Sequence, residues 1–172
     1  IGENGKVTAL LADLGVSSMQ IDDFTRGFTH KHAGPMDMRM NSLGNNITAH
    51  TLLSKITVAE LENILIENSD EVYAQHLAVS ILDKHQGIPQ TTEELAKRVR
   101  QTLREKCRLN KHEITKDLLD STVARVMQAL RIEVNNEFGS LEALLECLPR
   151  VLAPGGRAVF LTFHSGEDRR VK

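Results

Sequence analysis

The pattern of apolar residues predicts an α/β fold in which two parallel strands bracket a block of helices. Three observations carry that prediction. An apolar stretch (Val7, Ala9, Leu10, Leu11, Ala12) leads into Asp13 and Gly15, and such stretches suit a parallel strand buried on both faces. A second stretch, Ala158 to Leu161 with Phe163, follows the turn signal Pro154-Gly155-Gly156. Between them, apolar residues recur at helical spacing. Ligands of open α/β sheets bind just beyond the carboxyl ends of the strands. Asp13 stands at such an end, and Gly15 lets the backbone turn sharply beside a ligand.

The elements follow in order. Residues 18–46 hold Gly27, Gly34, Pro35, Gly44 and the pair Asn45-Asn46 with little periodicity. A long loop is expected there, and such loops are usually functional. Thr57-Val58-Ala59-Glu60 reads as a capping box opening a helix with Val58, Leu61, Ile64 and Leu65 on one face. A second helix is expected after Ser69, using Val72, Tyr73, Leu77, Ile81 and Leu82, with Gly87 and Pro89 ending it. Thr91-Thr92-Glu93-Glu94 caps another, with Leu95, Val99 and Leu103 inward. From about Leu118 to Leu148 the spacing is helical again, and Gly139 with the Asn135-Asn136 pair divides it into two helices. The expected division is a strand-bearing portion, residues 1–45 and 118–172, carrying an inserted helical subdomain at 46–117.

Bulk properties narrow the function. The 172 residues, 41% hydrophobic and 26% charged, describe one globular domain or a domain with an insertion. With no Trp, one Tyr and five Phe, the core must rest on Leu, Ile, Val and Met. No apolar run approaches the roughly 20 residues that span a bilayer, and no signal-peptide pattern is present, so no membrane partner is expected. Cys107 and Cys147 lack metal-ligand spacing; no metal is expected, and both read as free thiols in a reducing compartment. The net charge of −2 makes no case for nucleic acid, but its distribution does. Lys97, Arg98, Arg100, Arg104, Lys106, Arg108, Lys111 and Lys116 face only Glu105 and Glu113 in the same stretch. That stretch is either a phosphate-binding face or a solvated helix surface.

Four separated blocks carry a specific resemblance. Asp13-Leu14-Gly15-Val16-Ser17-Ser18-Met19-Gln20 leads to Arg26-Gly27-Phe28, and Gly34-Pro35-Met36-Asp37-Met38-Arg39-Met40 follows. Gln128 to Glu137 forms the third block; Leu152-Ala153-Pro154-Gly155-Gly156-Arg157 with Phe163-His164-Ser165-Gly166-Glu167-Asp168-Arg169 forms the last. In this order they resemble the RsmH (MraW) family, although residues 41–120 match only loosely. The resemblance implies an S-adenosylmethionine-dependent methyltransferase acting on the exocyclic N4 of a cytosine in small-subunit ribosomal RNA. It implies a partial class I (Rossmann-like) methyltransferase fold with an inserted helical subdomain. The family's N-terminal cofactor-binding strands, one with a Gly-rich loop and one ending in an acidic residue, are not read in this chain. Gly2 and Gly5 are too few and follow no strand. The strands present would then be the fourth and fifth, neighbours joined by a right-handed crossover. One edge of the first would lie open, with apolar faces uncovered. The expectation is a segment of a longer enzyme or a truncated relative. The competing reading is a non-enzymatic RNA- or ribosome-binding module that kept the substrate half.

The resemblance also implies roles for residues. Asp13 and Gln20 match positions that contact the cofactor, where a carboxylate and an amide suit an adenine edge or an amino group; a turn residue and a solvated amide are the alternatives. Asp13 to Ser18 occupy the place of the polar motif that accepts hydrogen bonds from the reacting amine; Ser17 and Ser18 are the candidates within it, or they cap the next helix. His164 either relays the departing proton or makes structural hydrogen bonds. Arg26 and Arg39 are expected RNA contacts, with Asp37–Arg39 alternatively a scaffold pair. Arg98, Arg100, Arg104 and Arg108 are the phosphate contacts of the basic stretch. Met36, Met38 and Met40 read as packing. Asn135, Asn136 and Glu137 are expected to tie their helix to the loop network. Gly166 stands where the family usually has Leu, which loosens that loop. The partners implied are small-subunit ribosomal RNA or the small subunit itself; a homodimer stays open. The implied location is the cytoplasm, or alternatively a mitochondrion or plastid.

Overall fold

A computed structural model describes residues 6–44, 47–109 and 113–172. Asn45, Asn46 and Lys111, used in the sequence reading, and Gly2 and Gly5 lie outside the described residues. The architecture is mixed α/β. Among the described residues there is one two-stranded parallel sheet and eight α-helices. The chain divides into two compact units, residues 17–135 and the remainder up to Val16 with Asn136–Lys172.

The unit of 17–135 holds α1 (Ser18–Asp22), a 3₁₀ turn (Phe24–Arg26), α2 (Ala49–Lys55), α3 (Val58–Ser69), α4 (Ala74–Ile81), α5 (Thr92–Leu109) and α6 (Lys116–Asn135). The expected capping box opens α3: Glu60 N–H donates to Thr57 Oγ1 at 3.3 Å and Thr57 N–H to Glu60 Oε2 at 2.7 Å. Thr91 Oγ1 likewise accepts Glu94 N–H at 3.1 Å at the start of α5. Leu61, Leu65, Leu77, Ile81, Leu95, Val99, Leu103, Val126 and Leu130 are completely buried together. This is the aliphatic core that a chain without Trp requires.

Helix α4 begins later and ends earlier than its pattern suggested. Asp70 closes α3 in the left-handed region (φ 52°), and the buried Glu71 carboxylate accepts Tyr73 N–H at 2.9 Å. The same carboxylate receives Arg125 Nε at 2.6 Å, tying this turn to α6. The chain is therefore still turning at Val72, which is exposed rather than inward. Helix α2, with Thr48 as N-cap, had no clear sequence signal, because only seven residues carry its amphipathic pattern.

The packing boundaries also differ from the expected 46–117 insert. Met36 and Met38 are buried in the same core as α3, α5 and α6, so the 17–45 loop and all of α6 join the helical unit. Met36 and Met38 act as packing residues, as expected.

The other unit contains β1 (Val7–Asp13), α7 (Glu137–Val151), β2 (Leu152–Leu161) and α8 (Ser165–Val171). β1 and β2 pair in parallel, with Leu10 opposite Ala158, Leu11 opposite Val159 and Asp13 opposite Leu161. The expected Pro154-Gly155-Gly156 turn lies inside β2 as a bulge. Val7 pairs with Leu152 and Ala9 with Arg157, so the extra residues of β2 loop out. Burial on both faces is not observed. No residue of either strand is fully buried, and Leu11, Val159, Leu161 and Phe163 are exposed. A two-stranded sheet has too few neighbours to cover both sides.

Asn136, with φ 48°, divides α6 from α7 at the expected place. Its side chain folds over Gly139, where a β-carbon would come within 2.5 Å of Asn136 Oδ1. Helix α8 was not foreseen; His164 caps it. No described helix is long and apolar enough to cross a membrane.

Candidate functional site

In the helical unit, the loop of residues 23–42 is folded around buried main-chain contacts. A β-carbon at Gly27 would collide with the Pro35 carbonyl, and one at Gly34 with the Phe24 carbonyl. Only glycine allows these strands of loop to touch. Arg26 Nη2 donates to the carbonyls of Arg39 (3.0 Å) and Met40 (2.6 Å), and its guanidinium lies 5.5 Å from the Phe28 ring centre. Asn135, at the end of α6, donates from Nδ2 to Met38 O (2.7 Å) and accepts Met40 N–H on Oδ1 (2.6 Å). The expected tie between this helix and the loop is therefore present for Asn135.

Asp37 and Arg39 form the scaffold pair. Arg39 Nε meets Asp37 Oδ1 at 2.7 Å and Nη2 meets Oδ2 at 2.8 Å, the bidentate geometry that a planar guanidinium favours. The hydrogen bonds from Arg39, chiefly from its side chain, hold the Asp37 carboxyl below its ordinary pKa against a smaller opposing effect of burial. Asp23, Thr25, Arg26, Asp37, Arg39 and Ser42 line a pocket of about 370 Å³. The structure thus brings Arg26 and Arg39 together as the sequence proposed, but with much of each guanidinium committed to the loop.

Asp13 ends β1 as an exposed residue. Ser17 caps α1: its Oγ accepts Gln20 N–H at 3.4 Å, while Gln20 Oε1 accepts Ser17 N–H at 2.9 Å. The capping alternative therefore describes Ser17, and Gln20 is its reciprocal partner rather than a solvated amide. Gln20 Nε2 stays uncommitted among the described residues. Ser18 is the first, exposed residue of α1.

His164 caps α8 through Nδ1, which accepts Glu167 N–H at 3.4 Å. Its buried Nε2 lies 3.3 Å from Glu167 Oε1, and the ring tilts against Phe138. These are the contacts of the structural alternative. A β-carbon at Gly166 would come within 2.7 Å of Phe138 Cζ, so glycine here admits the ring. Glu167, 4% exposed, also accepts Phe163 N–H at 2.8 Å. The sequence reading missed this residue, although His-x-x-Glu has the spacing of a reciprocal cap. It also missed Asp23, whose Oδ1 accepts Thr25 N–H at 3.0 Å in an Asx-type turn.

The basic stretch separates into two groups. Arg98 donates from Nη1 to the carbonyls of Ile81 (3.0 Å) and Gly87 (2.7 Å), fastening the α4–α5 connection. Arg100 pairs with Asp120 at 3.1 Å. Lys97, Arg104 and Arg108 are exposed, and their spacing of seven and four residues puts them on one stripe of α5.

The sequence profile of the MraW methylase family matches residues 2–172. This chain belongs to that family. Three curated relatives indicate its neighbourhood. "Ribosomal RNA small subunit methyltransferase H 1" of Lachnoclostridium phytofermentans is 45% identical over all of this chain and 46% of its own length. The protein of the same name in Agathobacter rectalis is 46% identical over 99% of this chain and 48% of its own. "Ribosomal RNA small subunit methyltransferase H" of Francisella tularensis is 41% identical over 98% of this chain and 53% of its own. The chain spans about half the length of these relatives. For this MraW family member the similarity therefore covers both compact units, including the Asp37–Arg39 loop and the His164 segment.

The Asp37–Arg39 pair gives a pH prediction. A carboxyl lowered in the folded state contributes stability that is present above its unfolded pKa, near 4. That contribution is lost as pH falls through the lowered folded value. Replacing Arg39 with Gln is expected to raise the Asp37 titration toward the ordinary carboxylate range, read from its carboxyl carbon by NMR. An unmoved titration would show that the pair does not set this carboxyl.

Proposed function

We propose that this chain takes part in methyl transfer from S-adenosylmethionine to the exocyclic N4 of a cytosine in small-subunit ribosomal RNA, within a polypeptide that also supplies the donor-binding strands. The observation that carries this reading is the 41–46% identity, over nearly the whole chain, to proteins named ribosomal RNA small subunit methyltransferase H. The reading divides labour as the sequence did. Residues 1–45 and 118–172 serve the methyl donor, and the helices of the 46–117 segment hold the RNA. The proposed compartment is the cytoplasm.

The chain's residues fit this assignment chemically. Asp13 offers an exposed carboxylate at a strand's carboxyl end, and Gln20 offers amide hydrogens beside a fixed cap. The carboxylate suits the hydroxyl and amino donors of S-adenosylmethionine, and the amide hydrogens suit the acceptor nitrogens of its adenine edge. The methyl group itself is what that donor supplies. The uncovered apolar face around Leu11, Val159 and Leu161 suits a sheet that other strands and helices complete. On the RNA side, the exposed stripe of Lys97, Arg104 and Arg108 is the phosphate contact, replacing the four-arginine set expected from sequence.

A chimera tests the reaction. This chain would replace the aligned segment of the Lachnoclostridium relative and be supplied with S-adenosylmethionine and small-subunit RNA. The expected product is N4-methylcytidine, identified by mass spectrometry of RNA nucleosides. A folded chimera that binds RNA but leaves cytosine unmodified would favour the non-enzymatic module instead.

The charge assignment has its own measurement. Replacing Lys97, Arg104 and Arg108 with Gln should weaken RNA binding and flatten the log–log salt slope by about 2, at roughly 0.7 per single-strand phosphate contact. Replacing Arg98 with Gln should lower thermal stability and leave the slope unchanged, since its partners are carbonyls of the chain. A triple variant with the parent slope would show that the stripe only solvates α5.

A further inference from the structure

A groove of about 730 Å³ lies on the helical unit between α4 and α5, and neither the 23–42 loop nor the basic stripe of α5 uses it. Three contacts show that the two helices run antiparallel along it. Lys106 Nζ donates to His76 Nε2 at 2.7 Å, the Thr102 and Ser80 hydroxyls meet at 2.7 Å, and Arg98 reaches Ile81 O. Asp83 accepts His85 N–H and Gln86 Nε2, both at 3.0 Å, and Glu105 accepts Gln101 Nε2 at 3.1 Å. Most of the polar wall is thus bonded to itself, and the surface left to a ligand is apolar. Val79 stands at the middle, 56% exposed, and Leu109 at one end, 73% exposed. Among the described residues the groove holds no Phe, Tyr or Trp on which a base could stack. It suits a helix of a protein rather than RNA.

The charges of the groove say which helix. Beside Leu109 stand a half-buried Lys106 and an exposed Glu105. At the other end, beside Leu82, stand a half-buried Asp83 and an exposed Lys84. The two ends therefore carry the same pair of signs in inverted order. Val58 opens α3, which packs on α4 through the short 70–73 turn, so it lies at the Asp83 end. His76, the partner of Lys106, and Asp83 are seven residues apart, and their midpoint falls at Val79 and Ser80. A two-fold axis at that midpoint lays a second α4 antiparallel on the first. Lys106 then faces the partner's Asp83, and Glu105 faces the partner's Lys84, each contact occurring twice. Leu109 comes to the apolar end formed by the partner's Leu82 and the partner's Val58, and the two valines at 79 meet on the axis. Such an isologous pairing closes on itself, and its charges are matched in sign across the contact.

We propose that the α4–α5 groove is the contact surface between two copies of this chain, paired antiparallel along α4 about Val79. The inference is independent of the reaction proposed above. Lys97, Arg104 and Arg108 lie outside the groove lining, so the pairing leaves the basic stripe exposed.

Sedimentation velocity of the 172-residue chain, from low to high micromolar concentration, tests the pairing. A monomer–dimer equilibrium is expected. Val79→Glu puts two carboxylates at the axis from an exposed position that leaves the core untouched. It is expected to raise the dissociation constant about tenfold or more, with an unchanged circular dichroism spectrum. Lys106→Glu and Asp83→Lys each set like charges across both contacts, and each variant alone is expected to be monomeric. Mixed in equal amounts, the two are expected to associate, because every contact then has one charge of each sign. A parent chain that stays monomeric overturns the pairing, as does V79E dimerising like the parent. Folded K106E and D83K that fail to associate when mixed overturn it too. Should Asp83→Lys unfold its turn, the V79E comparison decides alone.

Discussion

The side chain of Asn135 joins the last turn of α6 to the loop that carries the arginines, and the candidate site depends on that junction. It bonds Met38 O, Met40 N–H and, within its own helix, Arg131 O at 2.8 Å. Met38 needs such support. It is a non-glycine residue at φ 62°, a conformation costing about 1–2 kcal/mol. Complete burial of its side chain, on the order of 1.5–3 kcal/mol, and bonds at both its N–H and its carbonyl offset that cost. The strained residue is thus held from two sides, by the core and by Asn135. The result is a fixed position for Asp37 and Arg39 on either side of it.

Arginine does two kinds of work in this chain, and burial distinguishes them. Arg26, Arg98 and Arg125 are spent on the fold: the first two bridge carbonyls of turns, and the third compensates the buried Glu71. A guanidinium suits this because its fork reaches two acceptors at once. Arg104 and Arg108, with Lys97, stay at the surface of α5. Counting basic residues along the chain merges these groups, whereas only the second is exposed on α5.

The sequence made the helical unit legible where signals were local and redundant. The Thr57–Glu60 box, the Thr91 cap and the inward Leu95, Val99 and Leu103 each combine a cap with a 3.6-residue period, and the structure repeats them. The parallel pairing of the two apolar strands was legible through the strand order that the resemblance implied. The apolar runs alone suggested burial on both faces, because a run reports what a strand is suited to pack against; the uncovered faces were legible only through the resemblance, which left one edge of the first strand open. The roles of Arg98 and Arg100 were hidden because their partners, Gly87 O and Asp120, are 11 and 20 residues away. Glu167 and Asp23 were written in short cap and turn spacings that attention to the larger motifs passed over. Asn135 was found only through its family block; no periodicity marks a helix-terminal amide as a loop anchor.

The arginine loop is built in advance and hung on α6, and amide hydrogen exchange of the Asn135→Ala variant reads that junction. Losing the side chain leaves Met40 N–H and Met38 O without their partner, a penalty of about 1–3 kcal/mol. Exchange at Met38 and Met40 is expected to accelerate by about tenfold to a hundredfold, while Leu65, Val99 and Leu130 in the helical core keep their protection. Unchanged exchange at Met38 and Met40 in that variant would show that the loop is held by something other than α6.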